Sequence, residues 1–133
     1  MVNSILTSTK KILGVGADYT AFDLDIITHI NAAFSVVNQL GVGPIEGITI
    51  EDDEPTWASL AIPQKQLNLL RTYIFLKVRV LFDPPNTSYL IDALNKQIQE
   101  YEYRLSYFRE ELIPLPVKEA VYVNFPDIFN YGY

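Results

Sequence analysis

Residues 63–85 read PQKQLNLLRTYIFLKVRVLFDPP, and this stretch decides the fold of the chain. Pro63 suits the first turn of a helix, because a backbone N–H at that position has no partner within the helix. Pro84 and Pro85 cannot continue a helix, and Pro84 also pushes Asp83 out of the α region. The segment between the prolines is therefore predicted to be one helix of about five turns.

This predicted helix is apolar over most of its circumference. At helical spacing one side carries Leu67, Leu70, Ile74, Val78 and Leu81. A helix with so wide an apolar surface is a central one, packed against neighbours on several sides. Phe75 and Phe82 fall on the remaining polar stripe, where an isolated chain gains little from them. We predict that both contact either a neighbouring subunit or a loop of the chain itself.

Two further helices precede the central one. Residues 4–13 form a short amphipathic pattern, and Lys10 near its end places positive charge where the helix dipole favours it. The next helix is predicted to extend from an N-cap at Thr20 to Leu40, because Thr is a favoured N-cap residue and apolar residues recur at helical spacing after it.

The longest helix is predicted over residues 88–112, where apolar residues recur in steps of three and four. The short link 83–87 lets it lie antiparallel along the central helix. The predicted fold class is therefore mainly α: a compact bundle of about four helices with a long antiparallel helical hairpin, a short loop/β insertion and an extended C-terminal tail. The predicted domains are a helical bundle over 1–112 and a tail over 113–133.

The insertion covers residues 41–62. Residues 45–50 alternate weakly between apolar and polar side chains, which is typical of a short strand. Four consecutive acidic residues, 51–54, follow, and we interpret them as a solvated loop. Trp57 and the isoleucines indicate that the loop is partly anchored on the bundle, and we predict protein contacts at Ile45, Ile48 and Trp57.

The tail is rich in aromatic and β-branched residues, whereas disordered segments are poor in both. It should therefore be buried, either against its own domain or against a second protein, and we favour the second protein. The predicted contact residues of this segment are Tyr122, Phe125, Phe129, Tyr131 and Tyr133.

Composition and charge exclude several classes of function. The 133 residues include no cysteine, which removes disulfides, thiolate metal sites and cysteine catalysis. A net charge of −6 opposes sequence-independent binding of duplex DNA, although an acidic surface can line a passage through which DNA slides. No segment is typical of a membrane span or a signal peptide, so we expect synthesis and retention in the cytosol.

One possible class of function is an enzyme with a metal site. It would use Asp52, Asp53 or Glu54 together with His29, the one histidine, around a divalent metal. The acidic spacing is not that of a twelve-residue calcium loop, and no nucleophile accompanies His29. We therefore predict no enzymatic activity, no cofactor and no metal site.

Five short pieces of the sequence, in this order and spacing, resemble the head-to-tail connector (adaptor) proteins of tailed bacteriophages. They are residues 19–23, 26–31, 40–44, 56–57 and 82–85. The resemblance extends from about residue 4 to 112, and the segment after Leu112 carries no matching motif.

The resemblance implies a structural neck protein of the virion, made in the host cytoplasm. Such proteins form a ring, here expected to hold twelve copies, beneath the portal protein. The ring extends the channel through which DNA passes and offers a docking surface to the next neck protein, stopper or tail. It also implies that the C-terminal segment docks on the portal and that the loop over 41–62 faces a neighbouring subunit or the next ring. The alternative left open is a non-enzymatic helical regulatory or adaptor protein that binds another partner through its tail.

Overall fold

The computed structural model describes residues 3–112, with side chains described as far as Phe108. Its four α-helices are α1 (Ile5–Leu13), α2 (Asp23–Gln39), α3 (Gln64–Phe82) and α4 (Ser88–Leu112). A single 3₁₀ turn, Ala58–Leu60, lies between α2 and α3. The predicted mainly helical fold is confirmed. The predicted tail, with contact residues Tyr122, Phe125, Phe129, Tyr131 and Tyr133, lies outside the described residues.

Helix α3 is the central element, as the flanking prolines and its apolar surface predict. It packs against α1, α2 and α4. Asp83, the residue before Pro84, leaves the helix at φ −144° and ψ 70°. The fully buried side chains of α3 are Leu70, Tyr73, Ile74 and Val78. Leu81 was predicted on the apolar side of α3, but in the last turn it is 44% exposed.

None of the described helices, α3 included, is both long and apolar enough to cross a membrane.

The hairpin of α3 and α4 follows the predicted antiparallel arrangement. Ile98 and Leu105 of α4 are buried, with Leu94 and Tyr101 packed beside them at the spacing of three and four that the sequence shows. The hydroxyl of Tyr73 in α3 donates to Glu102 of α4 at 2.9 Å, which joins the two helices through a buried polar contact.

Both ends of α1 are capped by residues suited to the task. The Ser4 hydroxyl accepts a hydrogen bond from the backbone N–H of Thr7 at 3.2 Å. At the other end Gly14 takes the left-handed conformation, φ 81°, which glycine adopts without steric cost. The chain therefore turns away sharply after Leu13.

The predicted start of α2 is two residues too early. Thr20 is not the N-cap; the helix begins at Asp23, and no side chain caps it. Thr20 instead contributes its backbone carbonyl, which accepts from the N–H of Asp23 at 3.2 Å. The carboxylate of Asp23 is engaged elsewhere, by Lys10 of α1 at 2.7 Å. A contact between distant parts of the chain therefore sets this boundary.

The short strand predicted over residues 45–50 does not form. Within residues 3–112 the only β pairing is an isolated antiparallel bridge between Ser4 and Thr56. Gly47, at φ 87°, interrupts the extended backbone. The N–H and C=O of Ile50 are both bonded by a side chain of α2 instead of a neighbouring strand. The insertion is therefore an anchored loop.

Candidate assembly surfaces

Backbone hydrogen bonds fasten the loop over 41–62 to the start of the chain. The N–H of Ile5 donates to the carbonyl of Pro55, and the N–H of Trp57 donates to the carbonyl of Asn3, each at 3.0 Å. These two hydrogen bonds flank the isolated bridge between Ser4 and Thr56, so they hold the end of the loop against the N-terminus of α1.

Trp57 is the side chain on which this loop is anchored. It is only 2% exposed, and its indole N–H donates to the hydroxyl of Ser8 at 2.9 Å. Its ring meets Phe34 and Phe75 edge to face, with centroids 6.5 and 5.8 Å apart, and the Arg71 guanidinium lies 5.4 Å from its centre. The expectation that the loop is anchored fits this arrangement. Trp57 itself faces the interior, so a contact with another protein at Trp57 stays a prediction.

Phe75 and Phe82 have intrachain partners. Phe75 packs on Trp57, a loop residue, which is the second of the two contacts predicted for it. Phe82 meets Phe22 of the segment before α2, with ring centroids 5.4 Å apart, and His29 of α2 at 6.4 Å. Both rings stay partly exposed. A contact of either ring with a neighbouring subunit stays a prediction.

Asn31 holds the middle of the loop. Its side-chain amide donates to the carbonyl of Ile50 at 3.0 Å, and its side-chain oxygen accepts from the N–H of Ile50 at 2.8 Å. One side chain thus satisfies both backbone groups of a residue that is 2% exposed. The loop consequently keeps a defined course although it contains no strand.

A tight turn, Pro44 to Gly47, presents the most exposed large apolar side chain of the described residues. The N–H of Gly47 donates to the carbonyl of Pro44 at 3.0 Å. Ile45, at the corner of the turn, is 93% exposed, whereas Ile48 packs against the core. Of the two isoleucines predicted to contact other proteins, Ile45 is therefore the one fully available.

An apolar cleft of about 400 Å³ lies between α1, α3 and α4. Its described lining is Ile12, Phe75, Leu76, Arg79, Pro85, Leu90, Ala93, Leu94 and Gln97. Two of these apolar side chains, Ile12 and Leu90, are half exposed. The cleft brings together the predicted contact residue Phe75 and residues from the ends of two other helices.

A buried ion pair joins α1 to the start of α2. Lys10 is 2% exposed, and its ammonium lies 2.7 Å from Oδ1 of Asp23. The same ammonium donates to the carbonyl of Ala17 at 3.1 Å. Lys10 was expected to serve mainly the dipole of its own helix. In the structure its charge also fixes the turn between α1 and α2.

Tyr73 is the one described group with a strongly displaced pKa. Burial raises the pKa of its hydroxyl far above the ordinary value, and the hydrogen bond to Glu102 and the charge of that carboxylate raise it further. The phenol therefore stays neutral and remains a donor to Glu102, so this contact acts as a structural link between α3 and α4.

The acidic residues 51–54 are exposed, and the Asp52 carboxylate accepts from the N–H of Glu54 at 2.9 Å within the loop. His29 of α2 packs against Phe82 of α3. No group of three or more His, Asp or Glu side chains suited to a metal ion occurs within the part of the chain that the structure describes.

Reasoning from the sequence missed Asn31, Ser8 and Lys10 as organising residues. The one local signal was an Asn in the interior of a helix, a position where its side chain competes with the backbone. The partners of Ser8 and Lys10 lie too far along the chain for any spacing rule to identify them.

Three comparisons with known proteins bear on identity. The family model described as phage connector protein matches residues 5–111, which begin with α1 and end one residue before the end of α4. No curated protein and no solved structure matches the chain. The matched stretch contains all four helices, the anchored loop and the apolar cleft. The chain therefore belongs to the phage connector protein family.

Proposed function

We propose that this protein is a structural component of the phage neck that forms a ring beneath the portal protein. The ring extends the DNA channel and provides the docking surface for the next neck protein or the tail. The observation that carries the proposal is the family match across residues 5–111. Exposed apolar surface at the turn of Ile45 and at the cleft supports it, because such surface is commonly used for contacts between proteins.

The proposed ring has twelve copies, each contacting two others, the portal protein and the next neck or tail protein. The tail over 113–133 contacts the portal through its aromatic residues, and the loop over 41–62 faces a neighbouring subunit or the next ring. The net charge of −6 suits a channel wall, because DNA that is not held electrostatically can pass. The function requires no catalysis, cofactor or membrane.

The decisive experiment places an early stop codon in the gene of the parent phage. Electron microscopy of the lysate should show filled or partly filled heads and finished tails that are not joined. Supplying the intact gene from a plasmid should restore joined particles. Joined, infectious particles without any complementation would refute the proposal.

A second stop codon placed directly after Leu112 tests the tail separately. We expect the helical bundle to accumulate but not to copurify with portal-containing heads. If the shortened protein still copurifies with heads at the level of the full chain, the tail is not the portal contact, although the neck function itself would stand.

A further inference from the structure

We propose that neighbouring copies in the ring join by inserting the turn Pro44–Gly47 of one copy into the apolar cleft of the next. Ile45 enters the cleft against Phe75, and Glu46 faces Arg79. The inference rests on the proposed function, because it names the contact from which such a ring is built.

The turn has the form of an inserting element. Ile45 is 93% exposed, so within the described residues almost none of its surface is packed. The bond from Gly47 to Pro44, at 3.0 Å, fixes the turn, and Asn31 holds the loop at Ile50 just beyond it. A preorganised turn loses little conformational freedom on docking, which favours binding.

The cleft has the complementary form and charge. Its lining is apolar except for Gln97 and Arg79, and Arg79 is the one charged residue among the described lining residues. Within the described residues, Nε of Arg79 donates to the carbonyl of Asp83 at 2.9 Å and lies 4.0 Å from the exposed Asp83 carboxylate, while the terminal amino groups of Arg79 make no hydrogen bond. Glu46, exposed beside Ile45, supplies a carboxylate that accepts hydrogen bonds from such a guanidinium.

The positions of the two surfaces make the contact one between different copies. The base of the turn borders a pocket shared with Gln66 in the first turn of α3, whereas the cleft lies at residues 75–79 of the same helix. These positions are about 14–20 Å apart along the axis. A contact between two different surfaces of the same chain is heterologous, and heterologous contacts generate rings when the rotation closes.

The absence of cysteine from the chain permits a direct test by disulfide crosslinking. The variant carrying Ile45→Cys and Leu90→Cys is supplied to phage with the stop codon, and purified particles are oxidised and run on a non-reducing gel. We expect a ladder of dimers, trimers and higher multiples. A disulfide requires Cα atoms within about 7 Å, so the two cysteines of one chain cannot join each other.

The matched control replaces Leu90→Cys by Tyr103→Cys, an exposed position 13 residues further along α4. The variant with Ile45→Cys and Leu90→Cys should give at least tenfold more crosslinked multimer than this control. Equal yields would overturn the proposal. A crosslink from Leu90→Cys to the portal protein would also overturn the proposal. So would a crosslink between Leu90→Cys and Phe125→Cys in a third double variant, because the tail would then occupy the cleft. Absence of the protein from purified particles would instead remove the proposed function itself.

Charge reversal gives a second test that does not depend on crosslinking. Glu46→Arg and Arg79→Glu should each lower the yield of infectious particles at least tenfold, while the double variant should regain most of the yield. Circular dichroism of each purified variant checks that it is folded. Folded single variants with normal yield, or a folded double variant without recovery, would overturn the proposal.

Discussion

Lys10 is a residue whose charge stabilises the fold from inside the protein. Its ammonium is 2% exposed and pairs with Asp23, which is 27% exposed. Removing one partner of a buried ion pair costs roughly 3–5 kcal/mol, and the partial exposure of Asp23 reduces that figure. We therefore predict that Lys10→Met, which keeps an unbranched side chain one heavy atom shorter, lowers the free energy of unfolding by about 2–3 kcal/mol.

Urea unfolding followed by circular dichroism measures this effect. Lys11→Met is the matched control, because Lys11 is exposed on the same helix and should change stability by at most about 0.5 kcal/mol. Equal stability of the two variants would show that the ion pair contributes nothing.

Tyr73 makes the stability of the fold dependent on alkaline pH. Its pKa in the folded protein is raised, because of burial and Glu102, above the unfolded value of about 10. The unfolded chain therefore loses this proton first as the pH rises, and the stabilising contribution, complete below pH 10, declines above it. The contribution keeps falling as the pH rises above 10, until the folded group also titrates.

Tyr73→Phe removes this titration and the hydrogen bond to Glu102. At pH 8 we expect the variant to be about 1–2 kcal/mol less stable than the native chain. At pH 11 the deficit should be smaller by roughly 1 kcal/mol, as measured by urea unfolding at pH 8 and pH 11. Tyr103→Phe, which changes an exposed tyrosine, is measured beside it as the control. A deficit that is constant with pH would contradict the assignment.

At the scale of the element, the loop over 41–62 depends on one side chain of α2. Asn31→Ala leaves the N–H and C=O of buried Ile50 without their partner. We predict a loss of about 2–4 kcal/mol in the free energy of unfolding, because each unpaired buried group costs roughly 1–3 kcal/mol. Ser35→Ala, at an exposed position of the same helix, is the control and should be nearly neutral.

Hydrogen exchange distinguishes a local effect from a global one. In Asn31→Ala the amide of Ile50 should lose its protection, while amides in the middle of α3 should follow only the change in global stability. If the Ile50 amide keeps its native protection from exchange in this variant, the side chain of Asn31 does not hold the loop.

The helices were predictable where their signals are local. Pro63 and the pair Pro84–Pro85 bound α3 in the sequence and in the structure, and the spacing of Ile98 and Leu105 gives the buried seam of α4. The start of α2 was not predictable from Thr20, because the pairing of Asp23 with Lys10 decides it. Local propensity fixes an element, and tertiary contacts adjust its ends.

The assembly surfaces were only partly predictable. Ile45 was named from the sequence as a contact residue of the loop over 41–62, although residues 45–50 were read as a short strand and not as a turn. The cleft could not be identified, since Ile12, Arg79 and Leu90 belong to three different helices. Trp57 shows the opposite case, because a large aromatic residue in a loop suggests a contact with another protein yet here lies in the core.

At the scale of the whole molecule, the interpretation of acidic residues 51–54 as a solvated loop leads to a prediction about cations. Calcium, magnesium, manganese and zinc should leave the melting temperature unchanged, because only an ion that binds the folded state raises it by mass action. Thermal unfolding with each salt, and with chelator as the control, measures this. A rise with one cation that chelator reverses would restore the metalloenzyme interpretation.

The pairing of residues 3–5 with residues 55–57 has a consequence for the order in which the protein can fold during its synthesis. Helix α1 leaves the ribosome first, but its partners Pro55 and Trp57 are made about fifty residues later. At roughly 5–20 residues per second, this delay lasts several seconds. During that interval α1 can pack against α2, but the backbone groups of Asn3 and Ile5 lack their partners in the loop. The N-terminus of α1 therefore reaches its final hydrogen bonding only after α2 has been made.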